Sequence, residues 1–424
     1  MKVPFGQHGM RHQSLRTAGP VHVLSCGEGA VPIPRSNELT TTVLTRDVDF
    51  DAICEEWDQL VSDGCQQGSF FLRWHWNRVW WRMYRPPQSE LFLITCREQS
   101  GRLVGMAPLY RRHRSVMGMF KIQEIYFIGT GVAMLTSEHL DIIARIGYER
   151  LVGQAVAAYI QQQPLWHRLW LWGIDTTSPV LPHFTKAFGG SAAVLPCDRL
   201  PYLATRSDWA TVKLGFGANL RTNIDRYIRR IQKEYKCQFC HVRTPEQLEE
   251  FMDVFVQLHQ ERWQSKGEVG SFAHPNFKEF MRETVRGAFL CDRARLWMLL
   301  LDGQCVAVLQ AFVDRGVVHY FQGGFKSGYE KYHLGSVMLA LSVQDCLQAD
   351  DVDEFDFMGG GARYKESWTT TAHEAVEVEI VNSNAMALVY RCVCISRKQL
   401  SHLYRFLLPV ALRSAIRKHF PLNT

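Results

Sequence analysis

Leu91–Arg112, "LFLITCREQSGRLVGMAPLYRR", and Leu296–Phe312, "LWMLLLDGQCVAVLQAF", write one local design twice. Each is an apolar run, a turn centred on Ser100-Gly101 or Asp302-Gly303, and a second apolar run, the pattern of an antiparallel hairpin. The second copy follows the first by 202 positions, and the same shift carries Gly68-Ser-Phe70 onto Gly270-Ser-Phe272. Helical patterns precede both hairpins: "DAICEEWDQLVSD" (51–63) and "PEQLEEFMDVFVQLHQERW" (245–263). Beyond each hairpin a helix leads to a strand, "YERLVGQAVAAYIQQQ" to "HRLWLWGID" and "SVMLALSVQDCLQA" to "DEFDFMGGG", now shifted by 186. The chain therefore reads as a duplicated α+β unit, each copy a mostly antiparallel sheet flanked by helices. The boundaries expected are an N-terminal arm (1–38), unit one (39–205), unit two (206–390) and a basic amphipathic C-terminal helix (391–424).

Bulk properties agree with two folded units. At 424 residues the chain exceeds what one core usually serves, and 46% hydrophobic with 21% charged residues is ordinary globular composition. A net charge of +6 is too small on its own to name a partner. No apolar run is long enough to span a bilayer and the start lacks a secretory apolar stretch, so a cytoplasmic protein with reduced thiols is expected. Cys237-Gln-Phe-Cys-His241 has the spacing of a haem-attachment motif, but its alternation reads as a strand, which sends the two cysteines to opposite faces. The tail 396–420, "SRKQLSHLYRFLLPVALRSAIRKHF", carries six Lys/Arg and no acid. It either docks on the domain or lies on a membrane surface.

P-loop, nucleophile-elbow and zincin signatures are missing. Two glycine-bearing segments remain. Gly359-Gly-Gly361 lacks the Lys-Ser/Thr that a P-loop needs. In "HYFQGGFKSGYEKYHLGSVMLAL" (319–341) a strand ends at Gly323-Gly324 and Gly335-Ser336 opens a helix, whose free amides and dipole suit a pyrophosphate. The same residues also serve a turn and a helix cap.

Several segments, in order, resemble the CelD-like branch of the GNAT acetyltransferases, tandem GNAT folds related to the FemAB transferases. They are "LHQERW" (258–263), "LDGQCVAVLQAFV" (301–313), "HYFQGGFKSGYEKYHLGSVML" (319–339) and "EFDFMGGGARYKESW" (354–368) in unit two, and "FFLRWHWNRVWW", "LVGMAPLYRR" and "SEHLDIIA" in unit one. The resemblance implies two tandem GNAT-like domains and an acyltransferase. It would move an acetyl or other acyl group from acyl-CoA to an amine or hydroxyl of a sugar, polysaccharide or cell-envelope precursor. The alternatives are FemAB-like aminoacyl transfer from tRNA and a non-catalytic GNAT-fold binding protein. Unit two is the expected catalytic copy and unit one a structural or acceptor-binding copy. The partners implied are a small-molecule or glycan acceptor and, through 396–420, the inner membrane face; nucleic acid enters only with a tRNA donor, and no metal is expected.

Carried onto this sequence, the resemblance places the pantetheine arm between the strand ending at Gln322-Gly323 and the strand with Phe355-Asp-Phe357, and the pyrophosphate on Tyr332–Val337, chiefly Tyr332, Gly335 and Ser336. That turn departs from the family's Q/R-x-x-G-x-G/A at its first and last positions. A literal match, Arg150–Ala155, falls inside a helical pattern that would occupy the Gly153 amide. Tyr364 stands where the family keeps its acid, and is otherwise a structural tyrosine. Asp356 is a base, an acceptor anchor, or an ion-pair partner of Lys365 or Arg363. His259 and Arg262, one helical turn apart, either meet an acceptor or form a solvated face. Trp263, Lys365 and Trp368 complete the expected acceptor contacts.

Overall fold

The computed structural model describes residues 39–116, 120–132, 135 and 137–383; the expected N-terminal arm and the C-terminal helix with its 396–420 segment lie outside these. The first half runs β1 (Thr40–Leu44), α1 (Asp47–Ala52), α2 (Cys54–Ser62), α3 (Trp74–Tyr84), β2 (Ser89–Arg97), β3 (Leu103–Val116), β4 (Phe120–Phe127), β5 (Ile143–Ala144), α4 (Glu149–Gln162), β6 (Arg168–Asp175), α5 (Leu181–Ala187) and β7 (Ala192–Ala204). The second runs α6 (Trp209–Leu214), α7 (Ala218–Glu234), β8 (Cys237–His241), α8 (Pro245–Gln264), α9 (Pro275–Leu290), β9 (Ala294–Leu301), β10 (Gln304–Asp314), β11 (Val317–Phe325), α10 (Leu334–Gln348), β12 (Glu354–Asp356) and β13 (Ala372–Val381).

The duplication holds in three dimensions. Both hairpins form, and their turn glycines both adopt the left-handed conformation, Gly101 at φ 86° and Gly303 at φ 81°. The helix expected at 245–263 is α8, closed at its start by a capping box between Thr244 and Gln247. The pattern at 51–63 instead divides into α1 and α2, which meet at Ile53. Cys237 and Cys240 are free thiols on β8.

Strand pairing crosses the boundary between the repeats. The sheet order is β1-β2-β3-β4-β6-β13-β7-β12-β11-β10-β9-β8, with β5 on β3. β7, from the first half, pairs with β12 of the second; β13, from the second, pairs with β6 of the first; and β7 and β13 pair with each other. Each half thus completes the other's sheet, so a cut at 205/206 separates helices cleanly but not strands.

A shared aromatic core reinforces this exchange. Phe70 stacks flat on Phe312, centroids 4.2 Å apart, and Trp76 packs edge-on against Phe280, Phe312 and Phe321. Each such buried ring stabilises by about 1.5–3 kcal/mol. Buried Asp314 accepts hydrogen bonds from Arg73 (2.6 Å), Arg293 and the Ser69 amide. Gly68 is required here because a Cβ would stand 2.2 Å from the Asp314 carbonyl oxygen. No helix among the described residues is long and apolar enough to cross a membrane.

Candidate active site

β11 and β12 run parallel for three residue pairs, Val317↔Glu354, Val318↔Phe355 and His319↔Asp356, and then part. Two local features force the parting. A bulge at Phe321 shifts the β10–β11 register between Gln310 and Ala311, and β12 turns off at Phe357, whose amide donates to Pro201 O, with Met358 at φ 60°. Beyond the fork, on the β11 side, lies a cavity of about 470 Å³, walled by Tyr320, Gly323 and Phe325 of β11, the start of α10, and Tyr364 and Trp368 from the chain that follows β12.

The far end of this cavity suits an anion. Leu334, Gly335 and Ser336 line it, and α10 has no side-chain cap. The helix ladder begins with Ser336 and Val337 donating to His333 O, which leaves the Leu334 and Gly335 amides ahead of it. Gly335 is fitted to this turn, since a Cβ would lie 3.0 Å from the Phe325 ring. Arg262, half-buried on α8, lies over Phe325 at 4.4 Å and donates to Gly323 O at 3.3 Å. Its Nε has no partner, and no carboxylate pairs with it among the described residues. Lys266 and Lys326 line the same mouth.

Gly323 turns its backbone polar groups away from β10. Its carbonyl goes to Arg262 and not to β10, and because a strand residue projects N–H and C=O to the same side, its amide faces the fork too. Gln322, the expected companion, is the cross-strand partner of Gln310 and does not line the cavity.

Tyr364 does line it. The residue is 43% exposed, but its phenol is turned inward beside Tyr320, and burial followed by that neighbour raises its pKa. It precedes a single 3-10 turn, Lys365–Ser367. Trp368 is a buried wall residue against Phe216 and Phe357.

Other expected site residues have structural roles. Tyr332 is buried, its hydroxyl donating to Glu234 at 2.5 Å, so it anchors the turn without lining the cavity. His259 sits among Phe255 and Phe272; its Nε2 accepts from Trp263 Nε1 at 3.0 Å, and burial lowers its pKa to about 4. That bond occupies both His259 and Trp263, so neither reaches an acceptor. Lys365 donates to the carbonyls of Met358 and Gly359 and holds that turn. Gly153 lies inside α4 against α5, where a Cβ would be 3.1 Å from Val180 O. The triple glycine meets carboxylates: the Gly359 amide donates to Glu138 at 2.6 Å and the Gly360 amide to Asp198 at 3.1 Å.

Asp356 departs furthest from expectation. It is fully buried on the face opposite Phe355 and Phe357, and pairs with neither Lys365 nor Arg363. Its Oδ2 accepts from His139 Nε2 at 2.7 Å and His319 Nδ1 at 3.1 Å, and its Oδ1 from the Met358 amide. Burial opposes its ionisation, but the two histidines outweigh burial and lower its pKa. Burial likewise opposes the charging of His139, yet Asp356 prevails and raises it to about 9. These three donor atoms lie within 4.8 Å of one another, the spacing of a metal cluster, but both nitrogens already aim at the carboxylate. His319 Nε2 is left buried without a partner, as are both amide atoms of Gln310 and Gln322 Oε1. Register puts His319, Gln310 and Gln322 on one sheet face. His139 and His319, 180 residues apart, share no motif; the left-handed backbone of His139 (φ 51°) was not legible either.

Comparison with known proteins places this geometry in a family setting. Residues 218–366, from α7 to the turn after Tyr364, match the model of the Acetyltransferase (GNAT) domain. The crystal structure of FemX is similar at a TM-score of 0.54 and 10% identity, over 83% of this chain and 98% of that one. A conserved protein of unknown function from Bacteroides thetaiotaomicron is similar at 0.51 and 9%, over 80% and 100%. A tandem GNAT protein from the clavulanic acid biosynthesis pathway gives 0.41 and 13%, over 82% and 100%. No curated protein matches the chain. At these identities the likeness is one of fold: α+β, with a mixed sheet flanked by helices.

Proposed function

We propose that this protein is an acyltransferase of the CelD-like kind, taking an acyl group from acyl-CoA to an amine or hydroxyl of a sugar, polysaccharide or cell-envelope precursor. One observation carries the reading: the fork between β11 and β12 opens into a cavity ending at an uncapped helix start and an arginine with no carboxylate partner. A flexible amide-bearing arm tipped by phosphates fits that combination, with the Leu334 and Gly335 amides and Arg262 at the phosphate end and Gly323 at the acyl end.

The bound thioester supplies an activated acyl carbon. Gly323 N–H polarises its carbonyl. The incoming nucleophile forms the new C–N or C–O bond and loses its proton to solvent in the cavity, since His319 is fully buried on the sheet face opposite Tyr320 and lines no part of it. As the C–S bond breaks, Tyr364 donates a hydrogen bond to the developing thiolate. Full transfer of the phenolic proton is uphill, because a thiol of pKa about 8.5 is the stronger acid. Tyr364 is therefore a thiolate stabiliser, and the thiol's final proton comes from solvent.

The test is thiol release from acetyl-CoA in the presence of a panel of amino sugars and simple amines. Acceptor-dependent release supports the reading. Release no faster than the protein-free blank with every acceptor, and with longer acyl-CoAs, contradicts it.

A further inference from the structure

α7 turns a basic face to solvent. Arg226, Arg229, Arg230 and Lys233 are all exposed, and helical spacing gathers them on the side turned away from buried Leu220, Ile224 and Ile231. The carboxylates of the helix are already engaged, Asp225 by Lys213, and Glu234 by Arg230, Lys331 and the Tyr332 hydroxyl. Arg226, Arg229 and Lys233 make no ion pair among the described residues. Arg226 lies over the Tyr227 ring at 5.7 Å, and Arg229 donates to the Asp225 backbone carbonyl at 3.2 Å.

This face adjoins the mouth of the donor cavity. The Tyr227 ring stacks on His333, centroids 4.1 Å apart, and Arg230 lies over Tyr332 at 5.3 Å, so the helix packs against the turn that opens α10. His333, Lys266 and Lys326 line the mouth; Glu330 is the one acidic residue among the described lining residues, and its carboxylate accepts from the Gly328 amide at 2.9 Å. Tyr227 and Arg230 stand between the cavity and the column Arg226, Arg229 and Lys233, which runs about 10 Å along the helix. A small ligand seated in the cavity meets the mouth cations, whereas the outer column points past it to a partner whose body lies outside.

We infer that the basic face of α7 docks an acidic protein bearing the acyl group on a phosphopantetheine arm, that is, an acyl carrier protein. Its acidic surface lies on α7, the phosphate that joins arm to protein lies at the start of α10, and the arm enters the cavity. A nucleic acid would also supply negative charge, but single-stranded bases need free aromatic faces, and the rings here are taken: Tyr227 by His333, and Tyr235 by Tyr329 and Tyr332. The role given to the arm rests on the acyltransferase reading; the docking of an acidic protein on α7 does not.

The experiment is calorimetric titration of the full chain with a bacterial acyl carrier protein in its apo form, which lacks the arm, and its holo form, which bears it. The apo form is expected to bind saturably at about 20 mM NaCl and at least tenfold more weakly at about 300 mM, where exposed charges are screened. The holo form should bind about tenfold more tightly than the apo form. The triple variant Arg226→Glu, Arg229→Glu, Lys233→Glu should weaken apo binding at least tenfold and leave acetyl-CoA affinity within about twofold, and alanine at the same three positions should give a smaller loss in the same direction. No binding of either form at the lower salt, binding undiminished in both triple variants, or displacement of the carrier protein by an equal concentration of tRNA that needs the same residues overturns the inference. Apo binding with no gain in the holo form and no binding of CoA refutes the donor-cavity reading and leaves the docking standing; CoA binding without carrier-protein binding does the reverse.

Discussion

His319 and Asp356 are the last paired residues before β11 and β12 part, and their side chains meet there at 3.1 Å, His319 Nδ1 donating to Asp356 Oδ2. The backbone pairing that ends the ladder thus closes the base of the fork with a fully buried imidazole–carboxylate pair, on the sheet face opposite Tyr320 and the donor cavity. His319→Gln should destabilise by about 1–3 kcal/mol in urea titrations, the cost of a disturbed buried hydrogen bond to Asp356, and leave kcat and acyl-CoA affinity within about threefold. A kcat lowered about 100-fold in a variant of unchanged stability would contradict this and put His319 in the proton path.

His139 gives the stability a signed pH dependence. A histidine whose folded pKa is raised contributes stability that is complete below its unfolded pKa, near 6.5, and lost as pH climbs through the folded value, here about 9. Glu138 and Asp141, raised to about 7, place their own losses lower on the scale. Between pH 7 and 8, below the pH at which most unfolded thiols ionise, the unfolding free energy of the wild type should therefore fall by about 1 kcal/mol, each pKa unit being worth about 1.4. His139→Gln should lose clearly less over that window in urea titrations, the remaining slope coming from buried thiols such as Cys65 and Cys96, whose raised pKa values act alike in both proteins. Equal slopes in the two proteins would contradict the assignment.

Tyr364→Phe keeps the ring and removes the cavity-lining hydroxyl that, on the proposed mechanism, would face the leaving sulfur. We expect kcat to fall about tenfold to 100-fold with donor KM unchanged, and the neighbouring Tyr320→Phe to cost less. Loss of donor affinity with kcat intact would instead make Tyr364 a binding residue.

Arg73 and Asp314 fasten the halves from positions 2% and 0% exposed. Removing one partner of such a pair leaves a buried charge, so Arg73→Ala should destabilise by about 3–5 kcal/mol in equilibrium denaturation. An effect under 1 kcal/mol would show that Arg293 alone satisfies Asp314.

What the sequence disclosed was local. Hairpin turns, the α8 capping box and the Gly335-Ser336 helix start each depend on a few contiguous residues, so the repeat, the diverging strands and the start of α10 could be read in advance. The exchange of β7 and β13 depends on pairings more than 170 positions apart, such as Glu374 with Arg199, and leaves no local pattern. The His139–Asp356–His319 group is non-local for the same reason; only alternation around Phe355-Asp-Phe357 hinted that Asp356 faces away from its neighbours. His259 misled because helical spacing shows which residues share a face with Arg262, not which of them Phe272 covers.

The central claim is that the fork holds acyl-CoA, and calorimetric titration of the full chain with acetyl-CoA tests it most directly. The account predicts saturable one-to-one binding, weakened about tenfold in Arg262→Ala and absent in a folded Gly335→Trp. No heat of binding and no thermal stabilisation at millimolar ligand, where a site at 100 times its Kd would gain about 2.7 kcal/mol, would contradict it.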